Sequence, residues 1–132
     1  MEPALLLIAH GSRQPDANAD LAYVADELRR RGRRIAEASY LELASPNIDE
    51  GGARCAAAGA TCVVLLPYFL SAGVHVLRDL TAARDRLAAR FPGVEFRLAE
   101  PLGRHPLLLD VVTERAREAS CSPLPLGERG RG

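Results

Sequence analysis

The stretch Leu5–Arg13, "LLLIAHGSR", decides how this chain folds and where its chemistry lies. Its aliphatic first half has the composition of a strand buried on both faces, which is typical of parallel sheets. The run stops at His10, and a glycine and a serine follow at once. Glycine at such a point indicates a tight turn or a close approach of backbone to a ligand. The stretch therefore points to a functional site at the end of a buried strand.

Three further apolar runs have the length of strands, and segments with helical periodicity separate the four. The predicted strands are Ala4–Ala9, Ile35–Leu41, Thr61–Leu66 and Val94–Leu98. The predicted helices cover residues 17–32, 45–59, 75–91 and 105–120. This alternation predicts an α/β fold, a four-stranded parallel sheet with helices on both faces. Right-handed crossovers restrict the topology, and we predict the strand order 2-1-3-4.

The sequence predicts one α/β domain over residues 1–120 and a short tail over residues 121–132. The tail is rich in Pro, Gly and Arg and lacks apolar periodicity, so we expect it to be disordered. Within the domain, the second helix is predicted to begin with Ser45 as its N-cap and Pro46 at its first position. Gly51 and Gly52 weaken that helix prediction.

The composition excludes several functional classes. The 17 basic and 17 acidic residues give a net charge of zero, so we expect neither a nucleic-acid partner nor binding to an anionic membrane. All basic residues are arginine, which removes P-loop and Schiff-base lysine chemistry. Three cysteines without a CxxC spacing argue against a disulfide framework and a thiolate zinc site. Without a visible signal peptide or membrane-length segment, we expect a cytoplasmic protein.

Polar side chains follow the predicted strands at the edge where parallel sheets bind ligands. His10 follows the first strand, Glu42 the second, and His75 ends the loop after the third, while Glu100 and His105 follow the fourth. Because neighbouring strands lie about 4.8 Å apart, two imidazoles and a carboxylate can converge on one point. That ligand set suits Fe, Co, Ni or Zn without strong selectivity.

Each of these residues also has a purely structural interpretation. His10 can be an ordinary loop histidine, Glu42 a solvated carboxylate, and His75 a residue of a helix start. His105 is most simply a helix-start residue as well. The arginines between residues 29 and 34 are best explained as a solvated helix end that favours the helix dipole, with anion binding as the weaker option.

Four stretches, taken together, resemble the sirohydrochlorin chelatases, the small class II chelatase family that includes cobaltochelatases and ferrochelatases. They are "LLLIAHGSRQPDAN", "YLELASPNI", "LLPYFLSAGVHVLRDL" and "AEPLGRHP", and the resemblance spans roughly Leu5 to Arg117. It implies an enzyme that inserts Co²⁺ or Fe²⁺ into sirohydrochlorin without a nucleotide, in cobalamin or siroheme biosynthesis. The metal, Ni²⁺ included, is then a substrate, and no permanently bound cofactor is expected.

The resemblance also implies roles for particular residues. The family's metal-handling and catalytic positions fall on His10, Glu42 and His75. Short members are expected to pair as homodimers, with the active cleft at or near the dimer interface. Ala72 stands where a proline is expected, and Leu80-Thr81 stands where an Ile-Pro pair is common, so the metal preference stays open.

The chemistry of sirohydrochlorin fits these assignments. It is a flat macrocycle with eight carboxylates, which the guanidinium fork of arginine matches bidentately. Arg13 and Arg78 lie close in sequence to the two histidines, and Ser12 and Gly73 complete the predicted substrate-binding set. Metalation also removes two pyrrole protons, and a histidine with an ordinary pKa of about 6.5 accepts a proton near neutral pH.

Two other functions remain open at this point. Histidine phosphatases also place a His-Gly pair after a first strand, but they need an arginine just before the histidine, where this chain has Ala9. A non-catalytic carrier of metal or tetrapyrrole would use the same ligands as a chelatase. Only a measurement of catalytic turnover distinguishes such a carrier from a chelatase, because a carrier gives at most a stoichiometric amount of metalated product.

Overall fold

Strands and helices alternate along the chain in the computed structural model, whose described part covers residues 2–120. The predicted tail, residues 121–132, lies outside the described residues. The observed strand bounds differ from the predicted ones by no more than one residue at either end. The elements are β1 (Ala4–Ala9), α1 (Pro15–Arg30), β2 (Ala36–Tyr40), α2 (Ile48–Ala57), β3 (Cys62–Pro67), α3 (Val74–Arg90), β4 (Glu95–Leu98) and α4 (Pro106–Glu118).

The four strands form one parallel sheet in the order β2-β1-β3-β4, which confirms the predicted topology. The central strand β1 pairs with β2 on one side and with β3 on the other, and helices pack on both of its faces. This position explains why β1 is a continuous aliphatic run instead of an alternating one. The carboxyl ends of all four strands lie at the same edge.

Two apolar clusters cover the two faces of the sheet. Leu6 and Ile8 point into a larger cluster that contains side chains of α2 and α3. Leu7 points the opposite way and packs with Leu21 and Ala25 of α1. The alternation follows from the two-residue period of a strand, and it places helices on both faces as predicted.

Two adjacent glycines let helix α2 pack closely against both the sheet and α3. A Cβ atom on Gly51 would lie 2.7 Å from Leu6 Cδ1, and one on Gly52 would lie 2.5 Å from Leu87 Cδ2. Both distances are shorter than a carbon–carbon contact allows, so larger side chains would push α2 outward. The glycines that weakened the helix prediction are thus what lets α2 pack between β1 and α3.

The predicted start of α2 is wrong. Asn47, and not Ser45, is the N-cap: its side chain accepts a hydrogen bond from Glu50 N at 2.8 Å, and Glu50 Oε1 accepts one from Asn47 N at 2.9 Å. The chain first runs beside the end of β2, where Tyr40 N donates to Pro46 O. The helix therefore begins later than the Ser-Pro pair indicates.

The chain divides into two compact units, Met1–Leu102 and a second that begins at Gly103. The first contains the whole sheet and α1 to α3. The second contains α4, which buries none of its side chains. In the described part of the chain, no helix combines the length and apolar character that a membrane crossing requires.

Candidate functional site

The backbone brings His10 and Glu42 together at the carboxyl edge of the sheet. Parallel pairing of β1 and β2 continues past the strands, with Leu41 N donating to Ala9 O at 2.9 Å and Glu42 N donating to His10 O at 3.0 Å. The predicted convergence of these two tips is therefore a direct consequence of the register of the sheet.

Gly11 makes this close approach possible. Its φ angle is +94°, in the left-handed region that glycine favours, and an added Cβ would lie 1.8 Å from the carbonyl oxygen of Glu42. No side chain fits at that distance. The glycine that follows His10 in the sequence is thus required by the packing of one strand tip against the other.

A hydrogen-bonded network holds the segment after Gly11. Asn18 Oδ1 accepts from Ser12 N at 2.9 Å, and Asn18 Nδ2 donates to Ser12 O at 2.7 Å. The hydroxyl of Tyr40 donates to Asn18 O at 2.6 Å, and burial raises the pKa of Tyr40. Ser12 Oγ accepts from Gln14 N at 3.0 Å, so this predicted substrate-binding hydroxyl is already engaged at the start of α1.

A cleft of about 380 Å³ opens beside His10 and Glu42, between α2 and α3. Apart from these two residues, its lining includes the polar side chains of Asn47, Asp79 and the Asp49–Arg86 pair, together with apolar side chains. The lining residues are His10, Leu41, Glu42, Asn47, Ile48, Asp49, Val76, Asp79, Ala82, Ala83 and Arg86.

Charges on the cleft wall favour a cation over an anion. Arg86 Nη2 lies 3.2 Å from Asp49 Oδ2, so this guanidinium is paired across the helices. Glu42 and Asp79 form no ion pair within residues 2–120. The cleft therefore offers two free carboxylates and the imidazole of His10, which are hard and borderline ligands for a divalent metal.

His75 lies outside the lining of this cleft. It is the second residue of α3 and is exposed, and Gly73 is the N-cap residue of that helix. Within residues 2–120, no three His, Cys, Asp or Glu side chains already form a group that could hold a metal ion. Of the three predicted ligands, His10 and Glu42 line the cleft and His75 does not.

Three of the predicted substrate-binding residues, Arg13, Arg78 and Gly73, are open to solvent. Arg13 and Arg78 are exposed and make no ion pair with another residue of the described range. A Cβ on Gly73 would meet nothing within 4 Å, and its φ of −75° suits any residue. Gly73 thus faces free space, with no backbone constraint that demands a glycine.

Several apolar side chains that precede or follow His75 on the β3–α3 segment are exposed. They are Tyr68, Leu70, Val74 and Leu77, of which Leu70 is 71% exposed. Aliphatic residues that leave this much area in water mark a surface for an apolar ligand or a partner.

The fourth strand tip contributes no residue to the lining of this cleft. Glu100 is exposed after β4, and His105 is the N-cap residue of α4, where its Nδ1 accepts from Leu107 N at 3.2 Å. The helix-start interpretation of His105 is confirmed.

Several residues of the site were not predicted from the sequence. Asp79 follows His75 by four residues, which is a visible helical spacing, and Asn47 with Glu50 forms a recognisable capping pattern. Asn18 and Phe69 gave no local signal. Phe69 is buried, and its ring stacks on that of His10 with centroids 4.4 Å apart.

Comparisons with known proteins agree with this geometry. Residues 4–119 match the family model described as CbiX. The chain is 37% identical to the sirohydrochlorin cobaltochelatase of Priestia megaterium, over 89% of this chain and 38% of the relative. It is 36% identical to the chloroplastic sirohydrochlorin ferrochelatase of Arabidopsis thaliana, over 84% of this chain and 50% of that protein. The chain thus spans half or less of the length of these two relatives.

Other relatives have about the same length as this chain. The sirohydrochlorin cobaltochelatase of Sulfolobus acidocaldarius is 30% identical over 87% of this chain and 90% of its own length. Among solved structures, the CbiX protein of Marinobacter aquaeolei VT8 matches with a TM-score of 0.73 and 34% identity, over 89% of this chain and all of that one. SirB from Bacillus subtilis with Fe³⁺ matches with a TM-score of 0.80 and 28% identity, over 92% of this chain and 49% of that one. The chain belongs to the CbiX family.

Proposed function

We propose that this protein is a sirohydrochlorin chelatase, which inserts Co²⁺ or Fe²⁺ into sirohydrochlorin without a nucleotide. The observation that carries the proposal is the cleft at the carboxyl edge of the sheet, where His10 and Glu42 lie together in a chain of the CbiX family. The names of relatives as cobaltochelatases and ferrochelatases support both metals. The pathway is then cobalamin or siroheme biosynthesis.

In this proposal the metal enters the cleft and is held by His10 and Glu42. Imidazole and carboxylate release a divalent ion more readily than thiolates, which is what a metal-transferring site requires. His75, exposed at the start of α3, becomes the third ligand when the macrocycle arrives. The metal is a substrate in this scheme, and the chain needs no resident cofactor.

The reaction exchanges one metal ion for two protons. The divalent metal forms bonds to the macrocycle nitrogens, two pyrrole N–H bonds break, and the two protons pass to bases and then to water. His10 is the proposed acceptor for the first of these protons once its nitrogen has released the metal, because it lies at the proposed metal site and an imidazole is a common general base. Glu42 then keeps the local charge balanced while the metal leaves.

The macrocycle would lie over the β3–α3 segment. The exposed apolar side chains there suit a flat conjugated ring, and Arg13 and Arg78 are free to pair with carboxylates at its rim. The open space at Gly73 admits the ring close to the backbone. Ser12 would contribute through the turn it stabilises, since its hydroxyl already accepts from Gln14 N.

We further propose that the protein is a homodimer. The relatives fall into two sizes, one near the length of this chain and one about twice as long. A second copy would supply what the longer relatives hold in one chain. Helix α4 exposes an apolar set that such a partner would cover: Leu107, Leu109, Val111 and Val112. Light scattering on the wild type and on Val111→Asp tests this, with a monomeric wild type as the contradicting result.

We place the reaction in the cytoplasm and assign no nucleic-acid or membrane partner. The net charge of zero and the free thiols of Cys55 and Cys62 support this, since thiols persist in a reducing compartment. Burial raises the pKa of the Cys55 thiol to about 12, so it stays protonated and does not compete for the metal.

The test is a metalation assay that follows the absorbance of sirohydrochlorin with Co²⁺, Fe²⁺ or Ni²⁺. A chelatase yields many metalated macrocycles per protein, whereas a non-catalytic carrier yields at most one. No acceleration with any of the three metals would refute the enzyme. Full activity in both His10→Ala and His75→Ala would refute the assigned site.

A further inference from the structure

The imidazole of His10 is exposed to solvent on one side and covered by an aromatic ring on the other. The rings of His10 and Phe69 stack, with centroids 4.4 Å apart and planes inclined by 27°. Phe69 itself is 7% exposed and belongs to the main apolar cluster with Leu65 and Leu80. An exposed ring is thus held against a buried one.

Phe69 is fixed by its backbone as well as by packing. The residue before it, Tyr68, donates its N–H to Ile8 O at 2.7 Å, which ties the segment to the end of β1. The carbonyl of Phe69 accepts from Leu102 N at 2.9 Å, which ties it to the segment after β4. The phenyl ring therefore occupies one place relative to the strand that delivers His10.

Stacking restricts the imidazole without consuming its chemistry. Both ring nitrogens of a histidine lie in the ring plane, so a phenyl group on its face leaves Nδ1 and Nε2 free to bind metal or a proton. The contact removes orientations in which the plane is turned away, and an ordered catalytic group reacts faster than a mobile one.

We propose that Phe69 is a positioning residue for His10, holding the imidazole plane so that its nitrogens face the cleft shared with Glu42. This inference rests on the proposed chelatase function for its kinetic consequence. Its structural content is independent of that function, because the orientation of His10 and its affinity for a metal can be measured without sirohydrochlorin.

The chain offers a matched control for this inference. Phe96 is also 7% exposed and lies in the same apolar cluster, but its ring faces Phe91 at 6.3 Å and does not stack on His10. Phe69→Leu and Phe96→Leu therefore remove the same group from the same core. Any loss of stability common to both is the cost of a lost phenyl ring, and any difference at His10 belongs to Phe69.

We expect Phe69→Leu to lower kcat roughly 3- to 10-fold, with little change in KM for sirohydrochlorin, and to weaken Co²⁺ binding by a similar factor. Phe96→Leu should leave both quantities near wild type at a temperature where both variants are folded. Phe69→Tyr, which keeps an aromatic face, should retain most of the wild-type kcat and Co²⁺ affinity. Equal effects of Phe69→Leu and Phe96→Leu on Co²⁺ affinity would overturn the inference.

A spectroscopic measurement on the wild type tests the contact even if a variant fails to fold. The ring current of Phe69 should shift the imidazole protons of His10 upfield relative to those of His75 and His105, which have no aromatic stacking partner in the described range. His10→Asn assigns the signal. Random-coil shifts for His10 would refute the positioning role, whereas absent turnover with a shifted His10 would refute only the chelatase.

Discussion

The two sides of the site differ in how firmly they are held. Where β1 and β2 end, the backbones of His10 and Glu42 are hydrogen-bonded, and Gly11 fits with no room for a side chain. Where β3 leads into α3, His75 is exposed among apolar side chains, and Gly73 faces open space. In the function proposed above, this difference corresponds to a division of work, in which the first side holds the metal before the reaction and the second receives the macrocycle.

The largest expected effect separates the two histidines. We expect His10→Ala to lower kcat at least about 100-fold, because it removes the residue proposed both to hold the metal and to accept a proton. It should also abolish tight Co²⁺ binding in the absence of sirohydrochlorin. His75→Ala should lower kcat but leave Co²⁺ binding to the free protein nearly unchanged, since His75 does not line the cleft. Calorimetric titration with Co²⁺ measures the affinity of both variants. An equal loss of Co²⁺ affinity in His10→Ala and His75→Ala would contradict the proposed division of work between the two sides.

The two glycines test the same comparison through stability. Gly11→Ala should lower the free energy of unfolding by about 2–4 kcal/mol, because the new methyl group collides with Glu42 O at a strained φ angle. Gly73→Ala should cost less than about 1 kcal/mol, the size of a lost N-cap preference. Urea unfolding measures both. Similar values for the two variants would show that the first side is not held more firmly than the second.

Tyr40→Phe should have an intermediate effect with a distinct pH dependence. It removes the hydroxyl that donates to Asn18 O, at a cost of about 1 kcal/mol at neutral pH. Burial raises the folded pKa of Tyr40 above its ordinary value of 10.0, so its stabilising contribution is present below pH 10 and is lost as the pH rises through the folded pKa.

The free energy of unfolding of Tyr40→Phe should therefore fall less steeply than that of the wild type above about pH 10. Tyr23→Phe is the control, because Tyr23 is 64% exposed. If both variants follow the wild-type profile, the tyrosine network does not hold the segment after His10.

The smallest effect concerns the ion pair across the cleft. Asp49 and Arg86 are both partly exposed, so a double-mutant cycle should give a coupling below about 1 kcal/mol, decreasing with salt. This result would show that backbone pairing and packing hold the metal-binding side, and that ion pairs contribute little. A coupling well above that value would instead make α2 and α3 dependent on the pair.

The strands were predictable because they follow from short-range patterns, and the preference for right-handed crossovers restricted the order in which they pair. The aliphatic run of β1 marked a central parallel strand, and the positions of His10 and Glu42 at one edge followed from the sheet alone. The start of α2 was not predictable. It depends on the hydrogen bond from Tyr40 N to Pro46 O, a contact between segments that the Ser-Pro pattern does not contain.

Within the site, the sequence predicted that His10 and Glu42 lie together but did not show that His75 lies outside the lining of their cleft. His75 follows Gly73 in a loop whose course depends on tertiary packing, so its place outside the cleft could not be read from spacing. The contact between His10 and Phe69 joins residues from different strand ends and has no sequence signature. Prediction from one sequence therefore works best where the register of the sheet alone fixes the geometry.

The most direct test of the central claim is the number of sirohydrochlorin molecules metalated by each protein molecule, measured for the wild type and His10→Ala under excess Co²⁺. We predict many turnovers for the wild type, at a rate well above the uncatalysed one, and a rate close to the uncatalysed one for His10→Ala. One turnover or fewer for the wild type, or an undiminished rate for His10→Ala, would contradict metal insertion at the His10–Glu42 edge.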